Sequence, residues 1–175
     1  SENVVDSISN GIEYGLVVAC PEYSNFNQNF VCNENEIKGC AEDGMAFSAD
    51  GVTTEQLPEL AIRSFYRNWI HDNGGSGVVL IWDTDGNDDG AGYIIFEAEG
   101  CIIADNDGYG IEYIGFGTES VPSGSYSYNN TIVNNARAGE RFVPGTLGSN
   151  PDDVITDLFL ETANSIYWGN NAGGD

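Results

Sequence analysis

Asn68-Trp69-Ile70-His71-Asp72-Asn73-Gly74-Gly75-Ser76-Gly77-Val78-Val79-Leu80 is one copy of a pattern that returns along the chain. Its centre is an isoleucine followed seven residues later by a glycine: Ile8/Gly15, Ile37/Gly44, Ile70/Gly77, Ile103/Gly110, Ile132/Gly139 and Ile166/Gly173, with successive isoleucines 29 to 34 residues apart. Two residues before each isoleucine stand Asp6, Asn35, Asn68, Cys101, Asn130 and Asn164, and three residues after it Gly11, Cys40, Asn73, Asn106, Asn135 and Gly169. Eight and ten residues after it come Leu16/Val18, Met45/Phe47, Val78/Leu80, Ile111/Tyr113 and Glu140/Phe142. A period in this range marks a repeat architecture.

Apolar residues two apart describe a strand that turns alternate side chains inward. The isoleucine lies in another short extended segment. Between the two, Asp72-Asn73-Gly74-Gly75-Ser76-Gly77 and Asp105-Asn106-Asp107-Gly108-Tyr109-Gly110 are rich in residues that tolerate left-handed backbone and tight turns. Each repeat therefore reads as strand, turn, strand and longer excursion. Helical solenoids of similar repeat length need a sustained 3.6-residue period, and none is present.

On these columns the chain resembles the right-handed parallel β-helix, or pectate-lyase-like, family. The resemblance implies an all-β fold, a right-handed parallel β-helix of about six coils with loop excursions, in which equivalent strands stack about 4.8 Å apart. Residues 1–175 then form a single domain. It also implies inward asparagines whose amides hydrogen-bond from coil to coil. Asn35, Asn68, Asn130 and Asn164 match one such ladder, interrupted by Asp6 and Cys101, and Asn73, Asn106 and Asn135 a second. In such a stack Cys40 and Cys101 are two coils apart, beyond the reach of a disulfide. Cys20–Cys32, flanking the excursion Pro21 to Val31, is the expected pair, with Cys32–Cys40 as its rival.

Composition bounds the partners. The 28 acidic and 5 basic residues leave a net charge of −23, which excludes nucleic acid as a ligand and repels anionic membranes and polyuronates unless cations intervene. No apolar run approaches the length of a membrane span. Near-absence of lysine, only Lys38, and richness in Asn, Gly, Tyr and Thr suit an extracellular or cell-surface protein. Since the chain begins at Ser1 without methionine, any signal peptide it had is expected to have been removed already.

The sharpest candidate site is Asp83-Thr84-Asp85-Gly86-Asn87-Asp88-Asp89-Gly90. Asp83, Asp85 and Asn87 alternate as the oxygen ligands of a Ca²⁺ loop do, with Asp88 and Asp89 beside them. Asp88 stands where an EF-hand has its glycine and Ile94 where it has its glutamate, so the loop is either a looser Ca²⁺ site or a solvated acidic turn. Asp105 and Asp107 are carboxylates of the kind that hydrolyse sugars, yet they occupy a turn shared by other repeats. Uronate lyases of the resembling family pair Ca²⁺ with a basic residue, and Arg63, Arg67, Arg137, Arg141, Lys38 and His71 are the candidates. No nucleophile elbow, phosphate loop or dinucleotide fingerprint is present.

Trp69 and Ile102 are expected to point outward, as is the apolar stripe Val17, Ala46 and Val79, covered either by the chain itself or by another molecule. Neither end carries an amphipathic capping helix. The chain is thus expected to be a piece of a longer β-helix or to associate head to tail. Together these features suggest a secreted structural or binding β-helix that assembles with itself into extracellular filaments. The alternative is a polysaccharide lyase or hydrolase, or a carbohydrate-binding module of a larger adhesin.

Overall fold

The computed structural model describes residues 3–6, 15–20, 28–50, 59–83, 93–116, 123–144 and 158–171. The chain winds as a right-handed parallel β-helix. Its first coil is β1 (Asn3–Asp6), β2 (Leu16–Cys20) and β3 (Gln28–Val31), and its second β4 (Asn35–Lys38), β5 (Met45–Asp50) and β6 (Glu59–Tyr66). The third is β7 (Trp69–His71), β8 (Val78–Asp83) and β9 (Tyr93–Glu99), and the fourth β10 (Ile102–Ala104), β11 (Ile111–Phe116) and β12 (Ser123–Tyr128). The fifth is β13 (Thr131–Val133), β14 (Glu140–Pro144) and β15 (Leu158–Ala163), and β16 (Ile166–Trp168) opens a sixth. Every third strand pairs in parallel, giving one sheet of six strands and two of five. There are thus five full coils and the start of another. No helix among the described residues is long and apolar enough to cross a membrane.

The third strand of each coil lies inside what the sequence presents as an excursion. Gln28–Val31 falls in the excursion Pro21 to Val31, and β9 and β15 follow the turn-rich stretches after β8 and β14. These strands share no residue column, and register shifts at Asn29/Val31 and Ile62/Phe65 blur their spacing.

Inward positions fill a narrow tube. Ile37, Ile70, Ile103 and Ile132 align in register and are at most 1% exposed. Met45/Phe47, Val78/Leu80 and Ile111/Tyr113 are buried beside them. Phe47 meets Phe30 edge-on at 5.5 Å and Phe65 at 6.3 Å, with Phe96 5.1 Å from Phe65, so rings stack within the tube as coils stack around it.

The isoleucine column slips at both ends. In the first coil Val5, not Ile8, pairs with Ile37, and Ile8 lies outside the described residues, as do Gly11 and Gly173. In the sixth, Tyr167 rather than Ile166 aligns with Ile132, and Ile166 is 59% exposed.

Two hydrogen-bond ladders run along the stack. In the first, Asn35 Nδ2 donates to Asn68 Oδ1 at 3.0 Å and the Asn68 amide to the Cys32 carbonyl at 2.7 Å. Cys101 interrupts it, since a thiol offers no amide, but the Cys101 N–H still donates to Asn130 Oδ1 at 2.8 Å. Ser165, not Asn164, continues it, its hydroxyl accepting from the Asn130 N–H. The second ladder is continuous: the amides of Asn73, Asn106 and Asn135 donate to the oxygens of Asn106, Asn135 and Asn170 at 2.8, 2.8 and 2.9 Å. Here too the sixth member is one residue later than Gly169. Each ladder follows a column of left-handed residues: Glu34, Arg67, Gly100, Asn129 and Asn164 before the first, Gly39, Asp72, Asp105, Asn134 and Gly169 before the second. That conformation turns the chain so that the next side chain enters the tube.

The expected disulfides do not form. Cys32, Cys40 and Cys101 are buried thiols. Cys32 Sγ lies inside the tube, accepting from Asn35 Nδ2 at 3.1 Å, while Cys20 closes β2 in a different sheet opposite Ala49. Both Cys20–Cys32 and Cys32–Cys40 need Cys32, which is a free thiol. Burial lifts the Cys32 and Cys101 thiols to about 11, well above the range of reactive cysteines.

Candidate functional site

The strands of the first sheet are short because left-handed residues close them at both ends. Arg67 and Asp72 bracket Trp69-Ile70-His71, with φ of 53° and 54°. Three residues in extended conformation put the middle one in and the outer two out. Trp69 is accordingly exposed, as is Ile102 beside it in register. Both match expectation.

Around Trp69 the coils bring charged groups together. Lys38 Nζ donates to Glu36 Oε1 at 3.0 Å, and the same oxygen is 3.2 Å from His71 Nε2. His71 Nδ1 lies 2.7 Å from Asp72 Oδ2, so both ring nitrogens face carboxylates. The imidazole is buried beneath Trp69, the two rings stacked 4.0 Å apart. Hydrogen bonds from Lys38 and then from His71 hold the Glu36 carboxyl below its ordinary range. At the preceding corner Arg67 Nη1 lies 3.4 Å from Glu34 Oε1. Glu34, Asn35, Glu36, Arg67 and Trp69 line an open groove of about 300 Å³. It offers an aromatic platform flanked by donors and acceptors, which is what a sugar ring needs: apolar contact with its C–H face and hydrogen bonds for its hydroxyls.

The residues singled out in the sequence fare differently. Asp83 is the last residue of β8; Asp85, Asn87, Asp88 and Asp89 lie outside the described residues, as does the side chain of Asp83. Among the described residues no group of three or more His, Cys, Asp and Glu side chains is arranged to hold a metal ion. Asp105 takes the left-handed turn position at φ 55°, and the Asp107 N–H donates to the Asn73 carbonyl, so the turn itself accounts for both. Arg141 pairs with Glu112 at 2.7 Å, and Arg137 and Arg141 both lie over the Tyr109 ring, at 5.3 and 4.8 Å from its centre. Within the apolar stripe Ala46 and Val79 are buried by the chain itself, and Val17 is 54% exposed.

One polar cluster has no counterpart in the sequence reading. Glu140 occupies an inward column that holds Met45, Val78 and Ile111 in earlier coils. Tyr167 donates its hydroxyl to Glu140 Oε1 at 2.6 Å, and burial pushes the carboxyl above its ordinary range. Nearby, the fully buried Tyr113 hydroxyl is 2.6 Å from Ser125 Oγ. Ser125 and Ser127 stand in register with Phe96 and Ala98 one coil earlier, so the tube changes from apolar to polar towards its later coils.

No family model, curated protein or solved structure matches the chain.

Proposed function

We propose that the protein is a secreted structural β-helix that assembles end to end with further copies of itself into an extracellular filament. One observation carries this reading: β16 presents Ile166, Tyr167 and Trp168 at 59%, 39% and 73% exposure, an apolar strand edge at the end of the described stack. Pairing it with another strand supplies ladder bonds and buries these side chains. Self-repulsion of a chain at −23 opposes that contact, so counter-ions favour it. Ca²⁺ at the loop containing Asp83, Asp85, Asn87, Asp88 and Asp89 would serve that role. Sedimentation tests the reading. The wild-type chain should form longer species as protein and Ca²⁺ rise, and Trp168→Ser with Tyr167→Pro should abolish them while the coils below stay folded. A strict monomer at high concentration in Ca²⁺ would overturn it.

A second reading rests on Trp69 and its groove: a pectate-lyase-like or carbohydrate-binding β-helix whose outer first sheet holds a glycan. The charge of the chain favours neutral glycans over polyuronates. Release of unsaturated products or new reducing ends, or glycan binding lost in Trp69→Ala, would move the assignment here.

A further inference from the structure

The outer face of the third sheet alternates tyrosines with carboxylates. Alternation along β12 buries Ser125 and Ser127 and turns Tyr126 and Tyr128 outward; along β9 it buries Phe96 and Ala98 and turns Glu97 and Glu99 outward. Register sets these side chains against each other across the coils. One column reads Tyr66, Glu99, Tyr128 and the next Glu97, Tyr126, Glu161. Rungs are about 4.8 Å apart, so each carboxylate sits one rung from a tyrosine ring in a chequerboard of rings and charges. Tyr126 and Tyr128 are stacked at 6.5 Å.

Among the described side chains Glu99 and Glu161 have no cationic partner within ion-pair distance, Glu99 accepting from the Asn129 amide at 3.4 Å; Arg63 stands in the β6 bulge opposite Glu97, its side chain outside the described residues. Elsewhere the described cations are drawn to carboxylates, as in Lys38–Glu36, Arg67–Glu34 and Arg141–Glu112. Arg67 stands at the rim of this face, where Tyr66, Glu34, Glu99 and Asn129 line an open groove of about 560 Å³.

We infer that this face docks a lysine- and arginine-rich segment of another protein. Ammonium and guanidinium groups are the chemistry that both halves of the chequerboard attract, carboxylates by charge and tyrosine faces by cation–π contact. A second copy does not fit, since its surface carries the same sign at −23. An extended basic strand laid along either column would meet a carboxylate or a ring at three successive rungs. This inference is independent of end-to-end assembly, because the face lies on the side of the stack.

Calorimetric titration with a decalysine peptide tests it. The wild-type chain should bind with an affinity that falls as NaCl rises. Glu97→Gln/Glu99→Gln should weaken binding on the order of tenfold, and Tyr126→Ser/Tyr128→Ser, which leaves the charge unchanged, by about threefold to tenfold. Glu42→Gln/Asp107→Asn, an equal loss of charge on exposed residues outside this face, should change it less than twofold. Circular dichroism confirms that each variant is folded. Equal weakening by the control pair would reduce the effect to net charge and overturn the inference. So would an unchanged affinity in the tyrosine variant, or selective binding of a neutral hexasaccharide that the same tyrosine substitutions abolish.

Discussion

Replacing Asn106 with alanine tests whether the second ladder holds the coils together. Asn106 is 1% exposed. Its Oδ1 accepts from the Asn73 N–H at 3.3 Å and from the Asn73 amide at 2.8 Å, and its own amide donates to Asn135 Oδ1 at 2.8 Å and reaches the Ile70 carbonyl at 3.4 Å. Alanine leaves both Asn73 donors facing an apolar gap. A buried donor without a partner costs about 1–3 kcal/mol, so two of them, with the packing lost, cost about 3–5 kcal/mol. That is a large share of the roughly 5–15 kcal/mol that separates a folded domain from its unfolded chain. At about 2–4 °C per kcal/mol the melting temperature should fall by about 10 °C. Asn170 is the control: it accepts the same pair of donors, from Asn135, but is itself half-buried in the last described coil, so water reaches the gap and Asn170→Ala should cost only about 1 kcal/mol. Urea denaturation followed by circular dichroism measures both. Because coils contact only their neighbours, a weak rung lets the two sides separate, and the slope of the transition should fall as well. A loss below 1 kcal/mol for Asn106→Ala, or one equal to that of Asn170→Ala, would refute the view that the ladder is a principal tie.

Four other outcomes follow. Ile70→Asp puts an unpaired charge at a position with 0% exposure and should cost several kcal/mol; unchanged β-rich circular dichroism and melting would contradict the inward column. Gly110→Ala should destabilise by about 1–3 kcal/mol, since its Cβ would lie 2.5 Å from both the Gly139 carbonyl oxygen and Ile132 Cγ2, whereas equal stability on urea titration would show that the coils part to admit a methyl group. Glu140 has a folded-state pKa raised by burial, so its contribution is complete below its unfolded value and is lost as pH rises through the folded one. Glu140→Gln should therefore raise the melting temperature at pH 7 and lose that advantage towards pH 4, a trend that thermal scans across pH would expose if reversed. Finally, Ca²⁺ should raise the melting temperature of the wild type, and Asp83→Ala/Asp85→Ala should remove most of the rise; an equal rise in the variant would assign it to screening.

The columns legible in the sequence are those where the tube leaves one solution. Ile37, Ile70, Ile103 and Ile132 recur because each must fill the same small space, and Gly44, Gly77 and Gly110 because the neighbouring coil leaves no room for a Cβ. Asn73 and Asn106 recur because a primary amide both donates and accepts along the stack. The sixth coil departs from the columns for a related reason. Asparagine suits the left-handed position as well as the ladder, so Asn164 imitates the residue that Ser165 replaces, and tyrosine stands where isoleucine was expected. The third sheet was hidden because its inward positions hold Ile62, Phe65, Phe96, Ala98, Ser125 and Ser127, which share an environment but no single shape. The chequerboard is a property of register between those strands, and no single repeat contains it. Cys32 looked like half of a loop staple because its spacing from Cys20 spans an apparent loop, while the coil geometry sends its sulfur into the tube.

The second ladder also has a direction. At every rung the asparagine oxygen accepts from the coil before it, from Cys40 N–H into Asn73 through to Asn135 N–H into Asn170, and the first ladder runs the same way. The amide dipoles therefore add head to tail along the axis, and the stack has two unlike ends, one presenting donors and the other acceptors. A coil joined upside down would oppose like to like. Any rod built by continuing these ladders is consequently a vector, able to tell its two ends apart and to orient whatever is strung along its sides.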